Sequence, residues 1–205
     1  MPTTGLTAER TRIFKAAVGC FSRYGLRRTT MDDVAAAAEV SRKTVYNYFT
    51  NKSALIAEVI FEEARKVNAR ARKGLDLHLP AAELLVKAEL ALLASARRSG
   101  FIEILLNPTD FGTAAEVIDH SERIAEVMHE YWDPILDALD QRGELPADLD
   151  RAEAVAWLTF VHVGLCARRT ATGSDRELVG RLLARYVATG VLSPEPASSA
   201  RRRSR

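Results

Sequence analysis

The stretch TMDDVAAAAEVSRKTVYNYFTNK, residues 30–52, decides how this chain is read. Thr30 offers an N-cap hydroxyl, and Asp32 and Asp33 put carboxylates into a first turn, ahead of the run Val34-Ala35-Ala36-Ala37-Ala38. Glu39-Val40-Ser41 interrupts that run, and Ser41 is placed to cap a second short helix over about 42–49. Two short helices joined by a turn of three or four residues make a helix-turn-helix. Downstream, Asn51 caps a long helix expected over 52–73 and stopped by Gly74, about 33 Å at 1.5 Å per residue. Upstream, a helix is expected from about Ala8 to Tyr24, with Thr7 as cap and Gly25 as stop; Ile13, Ala17, Cys20, Phe21 and Tyr24 form its apolar stripe.

Beyond residue 74, apolar residues recur at spacings of three and four without sustained alternation, which gives an all-α chain. Helices are expected at about 80–99, 101–106, 114–141 with a bend at Pro134, 150–171 and 175–190, about nine in all, with Gly100, Gly143, Gly173 and Gly190 near ends. The chain has 205 residues, 47% apolar and 27% charged, enough for one or two domains with a real core. No apolar run is long enough to cross a membrane, and the N-terminus lacks the regions of a signal peptide, so a cytoplasmic protein is expected. Cys20 and Cys166, far apart within apolar helical stretches, fit free thiols in that compartment better than a disulfide framework.

The net charge of +2 conceals a partition. Residues 1–52 carry 9 Lys and Arg against 4 Asp and Glu, residues 53–192 carry 16 against 22, and residues 193–205 carry 4 against 1. A basic first quarter on an acidic body suggests a module that meets a polyanion, joined to one that does not. The expected division is 7–52 as a three-helix helix-turn-helix domain, 53–192 as a helical body, and 193–205 as a disordered basic tail. On the short helix that starts at Arg42, Val45 and Phe49 face inward with Val40. Arg42, Lys43, Thr44, Tyr46, Asn47 and Tyr48 are left more exposed. Arg and Lys suit the acceptors of guanine and a Thr methyl suits thymine, so Arg42, Lys43 and Thr44 are candidate base readers.

The run Thr11-Arg12-Ile13-Phe14-Lys15-Ala16-Ala17, then Phe21, Gly25, Thr29 to Ala35, and Val40 to Leu55 with its Tyr-x-Tyr-Phe-x-x-Lys element, resembles the DNA-binding domain of the TetR family of transcriptional repressors. The resemblance covers about residues 10–60 and implies phosphate contacts from Thr30, Tyr46, Tyr48 and Lys52. The helix N-terminus at Ser41 joins them, and Asn47 could serve base or phosphate. One position departs from the family's pattern. Glu39 stands where the family usually has Gly in a turn of positive φ, which for a side-chain-bearing residue costs about 1 kcal/mol.

For residues 53–192 the resemblance implies a ligand-binding and dimerisation domain. Val155, Leu158, Thr159, His162, Val163 and Cys166 form one apolar face, and Leu178, Val179, Leu182, Leu183, Tyr186 and Val187 another. Packed on the same helices of a second subunit they would make a four-helix interface; the alternative is that both are intramolecular core. Leu92, Phe101, Ile104, Leu105, Phe111, Ile124, Met128, Tyr131, Trp132, Trp157, Phe160 and Val161 could line a pocket with His120, His129 or His162 as polar handles, or simply form core. The implied protein is a homodimeric, ligand-responsive regulator of a palindromic DNA operator, released by a small apolar or aromatic effector. Two alternatives stay open: a ligand-independent DNA binder or activator, and a small-molecule-binding protein with a degenerate DNA head. No cofactor or metal is expected. His129-Glu130 is followed by Asp133 instead of the second His of a zinc-protease helix, and no phosphate-binding or nucleophile-elbow motif occurs. The Arg201-Arg202-Arg203-Ser204-Arg205 end reads as a solvated tail or a loose attachment to DNA.

Overall fold

The first helix shows at once where local spacing and packing part company. In the computed structural model of the protein, which describes residues 8–99, 122–167 and 173–192, α1 spans Ala8–Arg28 in two helical pieces parted at Gly25, whose φ 80 and ψ 166 are non-helical and stop the first piece where the sequence predicts. Ile13, Ala17, Cys20 and Phe21 are buried as their spacing requires, but Tyr24 is exposed under the Arg23 guanidinium, 5.4 Å from its ring. Past the kink Leu26 enters the core in its place. Thr29 is then buried and closes the turn by donating its hydroxyl to the Gly25 carbonyl at 2.8 Å.

Helix α2 (Met31–Ala37) starts in a full capping box. The Asp33 amide donates to Thr30 Oγ1 at 3.1 Å and the Thr30 amide donates back to Asp33 Oδ2 at 2.8 Å. These Thr30 bonds, with a smaller share from the Lys52 charge, hold the Asp33 carboxyl below the usual carboxylate range. The turn that follows carries Glu39 at φ 54, the one positive-φ residue other than glycine among those described. There the Glu39 and Val40 amides return to the carbonyls of Ala36 and Ala35, both at 3.1 Å, satisfying groups that the helix end would orphan. Ser41 caps α3 (Arg42–Tyr48) by accepting from the Thr44 amide at 3.0 Å, and Asn51 caps α4 (Lys52–Arg72) by accepting from the Ala54 amide at 2.8 Å. Gly74 follows α4 with φ 89.

The remaining described helices are α5 (Ala81–Arg97), α6 (Glu122–Asp140, with Pro134 inside it), α7 (Arg151–Ala167) and α8 (Gly173–Leu182). Helix α8 continues through a π-helical stretch, Leu183–Val187, into Ala188–Val191. The helix expected at 101–106, the start of the one expected at 114–141, and the tail at 193–205 lie outside the described residues. All regular structure among the described residues is helical, as the spacing predicts.

The chain divides into two compact units, residues 1–70 with 94–127 and residues 71–93 with 128–205. In the first, Ile13, Phe21, Leu26, Val34, Val45, Leu55, Ile60 and Phe61 are fully enclosed, with Val127 packed among them. Each such side chain stabilises the unit by roughly 1.5 to 3 kcal/mol relative to exposure. Here Asn68 donates to the Val127 carbonyl at 2.7 Å, and Glu58 receives both Arg10, at 2.8 Å, and Arg123. In the second unit Leu84, Leu85, Leu92, Tyr131, Trp132, Leu136 and Leu158 make the core, and the Tyr131 hydroxyl donates to the Ala88 carbonyl at 2.8 Å.

Candidate nucleic-acid interface

Helix α3 is short, and its residues sort by face. Val45 and Phe49 are buried with Val40 half-buried beside them, which leaves Arg42, Lys43, Tyr46 and Asn47 exposed and Thr44 half-buried. The Arg42 guanidinium reaches back to Asp32 in the first turn of α2, 3.0 Å away, and lies over the Tyr46 ring at 5.4 Å. Hydrogen bonding to Tyr46 and the charge of Asp32 raise the Arg42 pKa further. That ion pair joins the first turn of α3 to the first turn of α2. The Ser41 and Thr44 hydroxyls meet at 2.9 Å at the start of α3, while Thr30 stands at the start of α2. A surface results that bears two helix N-termini, two cations, an exposed phenol and an amide. It offers cations and hydrogen-bond donors of the kind that a phosphate backbone and base edges accept, beside the exposed Asp32 and Asp33 carboxylates of α2.

Two expected phosphate contacts are placed differently from the simple helical projection. Tyr48 is half-buried, and its hydroxyl donates to Glu9 Oε2 of α1 at 2.9 Å. Lys52 donates its ammonium to the Arg27 carbonyl at the end of α1, 2.9 Å away. Both residues tie the helix-turn-helix to α1. Their partners, like Asp32 for Arg42, are invisible to periodicity because they lie 39, 25 and 10 residues away in sequence.

In the second unit several expected positions exchange roles. Trp157 and Phe160, read as pocket lining, point outward; Phe160 is 72% exposed, and the two rings stack with centroids 6.0 Å apart. Leu178 and Leu182 on α8 and Tyr186 in the π-helical stretch after it are exposed. Val155, Leu158 and Leu183, placed on an expected dimer interface by spacing, are buried within the chain itself, while Thr159, Val163 and Cys166 are half-buried. The correction has a plain cause: α7 is apolar nearly all round, so its composition does not say which side meets the core. Of the expected pocket, Leu92, Met128, Tyr131 and Trp132 are buried, Ile124 and Val161 are half-buried, and Phe101, Ile104, Leu105, Phe111 and His120 lie outside the described residues. His129 pairs with Asp133 at 3.0 Å on its own helix. His162 instead reaches Glu89 of α5 at 2.8 Å, a buried carboxylate that spacing alone does not single out. Among the described residues, Glu89 Oε2 and Trp132 Nε1 have no hydrogen-bond partner.

Residues 13–59 match the family described as bacterial regulatory proteins, tetR family. Over 189 residues the chain is 30% identical to the HTH-type transcriptional regulator TtgR of Pseudomonas putida, covering 89% of each protein. Among solved structures it resembles the fatty acid degradation regulator FadR of Bacillus halodurans, with a TM-score of 0.62 at 16% identity, over 89% of this chain and 97% of the other. It also resembles FadR of Bacillus subtilis, solved with stearoyl-CoA, with a TM-score of 0.58 at 19% identity, over 85% of this chain and 97% of that one.

Proposed function

The chain belongs to the TetR family of bacterial regulatory proteins, and on that premise we propose that it is a homodimeric repressor released from a palindromic operator by a small apolar or aromatic effector. The observation that carries the reading is the exposed face of α3, where Arg42, Lys43, Tyr46 and Asn47 stand beside the capped starts of α2 and α3. In this assignment Arg42, Lys43, Thr44 and Asn47 read base edges. Thr30, Ser41, Tyr46, Tyr48 and Lys52 hold the backbone, the last through the same turn in which it binds Arg27. Residues 7–52 are thus the DNA-binding part and 53–192 the part that dimerises and takes the effector.

A monomer would read one half-site; a dimer reads two, about 34 Å or a multiple of it apart. The exposed Trp157, Phe160, Leu178, Leu182 and Tyr186 support a dimer through α7, α8 and the stretch after it, since large apolar side chains left in solvent are what such an interface would cover. That a fold of this kind holds stearoyl-CoA in FadR of Bacillus subtilis supports an apolar effector. An effector that binds better to a dimer with wrongly spaced recognition helices lowers operator affinity, and the operator lowers effector affinity by the same factor.

Titration of the dimer against genomic fragments at two salt concentrations tests the DNA assignment. A few fragments should bind at least 10³-fold tighter than the rest, and affinity should fall steeply with salt. Equal affinity for every fragment would sink the operator reading.

A further inference from the structure

In the second unit a chain of three side chains runs from the core toward the surface. His162 Nδ1 lies 2.8 Å from Glu89 Oε1, and its Nε2 lies 3.4 Å from Cys166 Sγ. Glu89 is 1% exposed and His162 nearly enclosed, while Cys166 is half-exposed. The second oxygen of Glu89 has no partner among the described residues, and among them the His162 imidazole is the group bonded to this buried carboxylate. That fixes the ring: the Nδ1 proton goes to Glu89, and Nε2 is left facing the sulfur. A nucleophile beside a base that a third group orients is the arrangement by which proteins activate a thiol.

The electrostatics agree with the geometry. Burial alone would pull the His162 pKa down, but the Glu89 charge and the hydrogen bonds with Cys166 and Glu89 more than reverse it. The other groups coupled to the cluster are Tyr131 of α6, which feels Glu89, and Arg72 of α4, which feels Tyr131. Cys20 supplies a contrast within the same chain. It is 6% exposed, its sulfur faces the Asp33 carbonyl at 3.7 Å, and burial followed by the Asp33 charge pushes its thiol pKa up. Such a thiol is inert. Cys166 also lies apart from the proposed dimer face, since the nine residues from Trp157 make two and a half turns and place it on the opposite side of α7.

We propose that Cys166 is a covalent modification site for soft carbon electrophiles of the α,β-unsaturated carbonyl class, with His162 and Glu89 as its positioning residues. In the addition, Cys166 Sγ forms a bond to the β-carbon. The C=C π pair moves onto the α-carbon, and the thiol proton, carried by His162 Nε2, is delivered there. No oxidant or reductant is consumed.

The test uses the full-length reduced protein and N-ethylmaleimide, with alkylation of each cysteine followed by peptide mass spectrometry and glutathione as the reference thiol. Cys166 should react at least tenfold faster than Cys20. Below pH 8 its log rate should rise less steeply with pH than that of glutathione. His162→Gln and Glu89→Gln should bring the slope back toward that of glutathione while Cys166 remains the residue alkylated. A wild-type slope equal to that of glutathione, or faster reaction at Cys20, would overturn the proposal without recourse to any variant. Neither DNA nor effector enters the measurement, so the result is independent of the operator reading.

Discussion

At Glu39 the chain takes φ 54 with a side chain attached, in a turn whose amides are all spoken for by α2. The strain is local, so Glu39→Gly is expected to stabilise the protein by about 1 kcal/mol, a rise in Tm of roughly 2 to 4 °C for a chain of this size. Thermal unfolding followed by circular dichroism checks it, and a lower Tm would mean that the lost side chain mattered more than the backbone angle. Arg42 poses a different question, because in the free protein it is paired with Asp32. An exposed pair of this kind is weak, so bases or phosphates can compete for the guanidinium. Arg42→Ala should then lose about 1 to 3 kcal/mol of operator affinity and relax preference at one base position, whereas Lys52→Ala should weaken all sequences alike. A uniform loss from Arg42→Ala in a panel of operator variants would reassign it to the phosphates.

At the scale of elements, caps and faces have separate origins. The starts of α2, α3 and α4 follow from Thr30, Ser41 and Asn51, whose side chains bond amides no more than three residues away. Thr30→Ala should therefore cost about 1 kcal/mol, visible as a lower Tm. The faces of α7 and α8 depend on distant neighbours. Along α8 and the π-helical stretch that follows it, Leu183 and Val187 turn inward while Leu178, Leu182 and Tyr186 stay out. If these faces close the dimer, Phe160→Arg or Tyr186→Glu, both at exposed positions, should leave a folded monomer in sedimentation at micromolar concentration. A dimer that persists in both variants would place the interface elsewhere.

For the molecule as a whole, charge and pH distinguish the two ends of the chain. The basic surplus of residues 1–52 belongs to the helices that carry the candidate DNA surface, and the acidic body carries the one buried ion pair among the described residues whose partners are nearly enclosed, Glu89 with His162. His162 titrates near 6.5 when unfolded and is pushed up to about 10 in the fold, against its burial, by Glu89 and Cys166. A raised basic pKa contributes stability that is complete below pH 6.5 and is lost as pH rises toward 10. Chemical denaturation should accordingly show stability falling across that window, and His162→Gln should flatten the fall. A pH-independent wild type would mean that the pair is neutral in the folded protein.

Composition, periodicity and capping residues were enough to establish an all-helical chain, the helix-turn-helix between Thr30 and Phe49 and the polar face of α3, and the family resemblance added the positive φ at Glu39. All of these are settled within one or two turns of backbone. Tertiary structure alone decided that Tyr48 and Lys52 brace α1, that Leu26 displaces Tyr24 from the core, and that Trp157 and Phe160 face out while Val155 and Leu158 face in. It also brought Glu89 to His162 across 73 residues. A helical repeat specifies which residues share a side, but burial depends on what that side meets, and the partner comes from a part of the chain that no local pattern identifies.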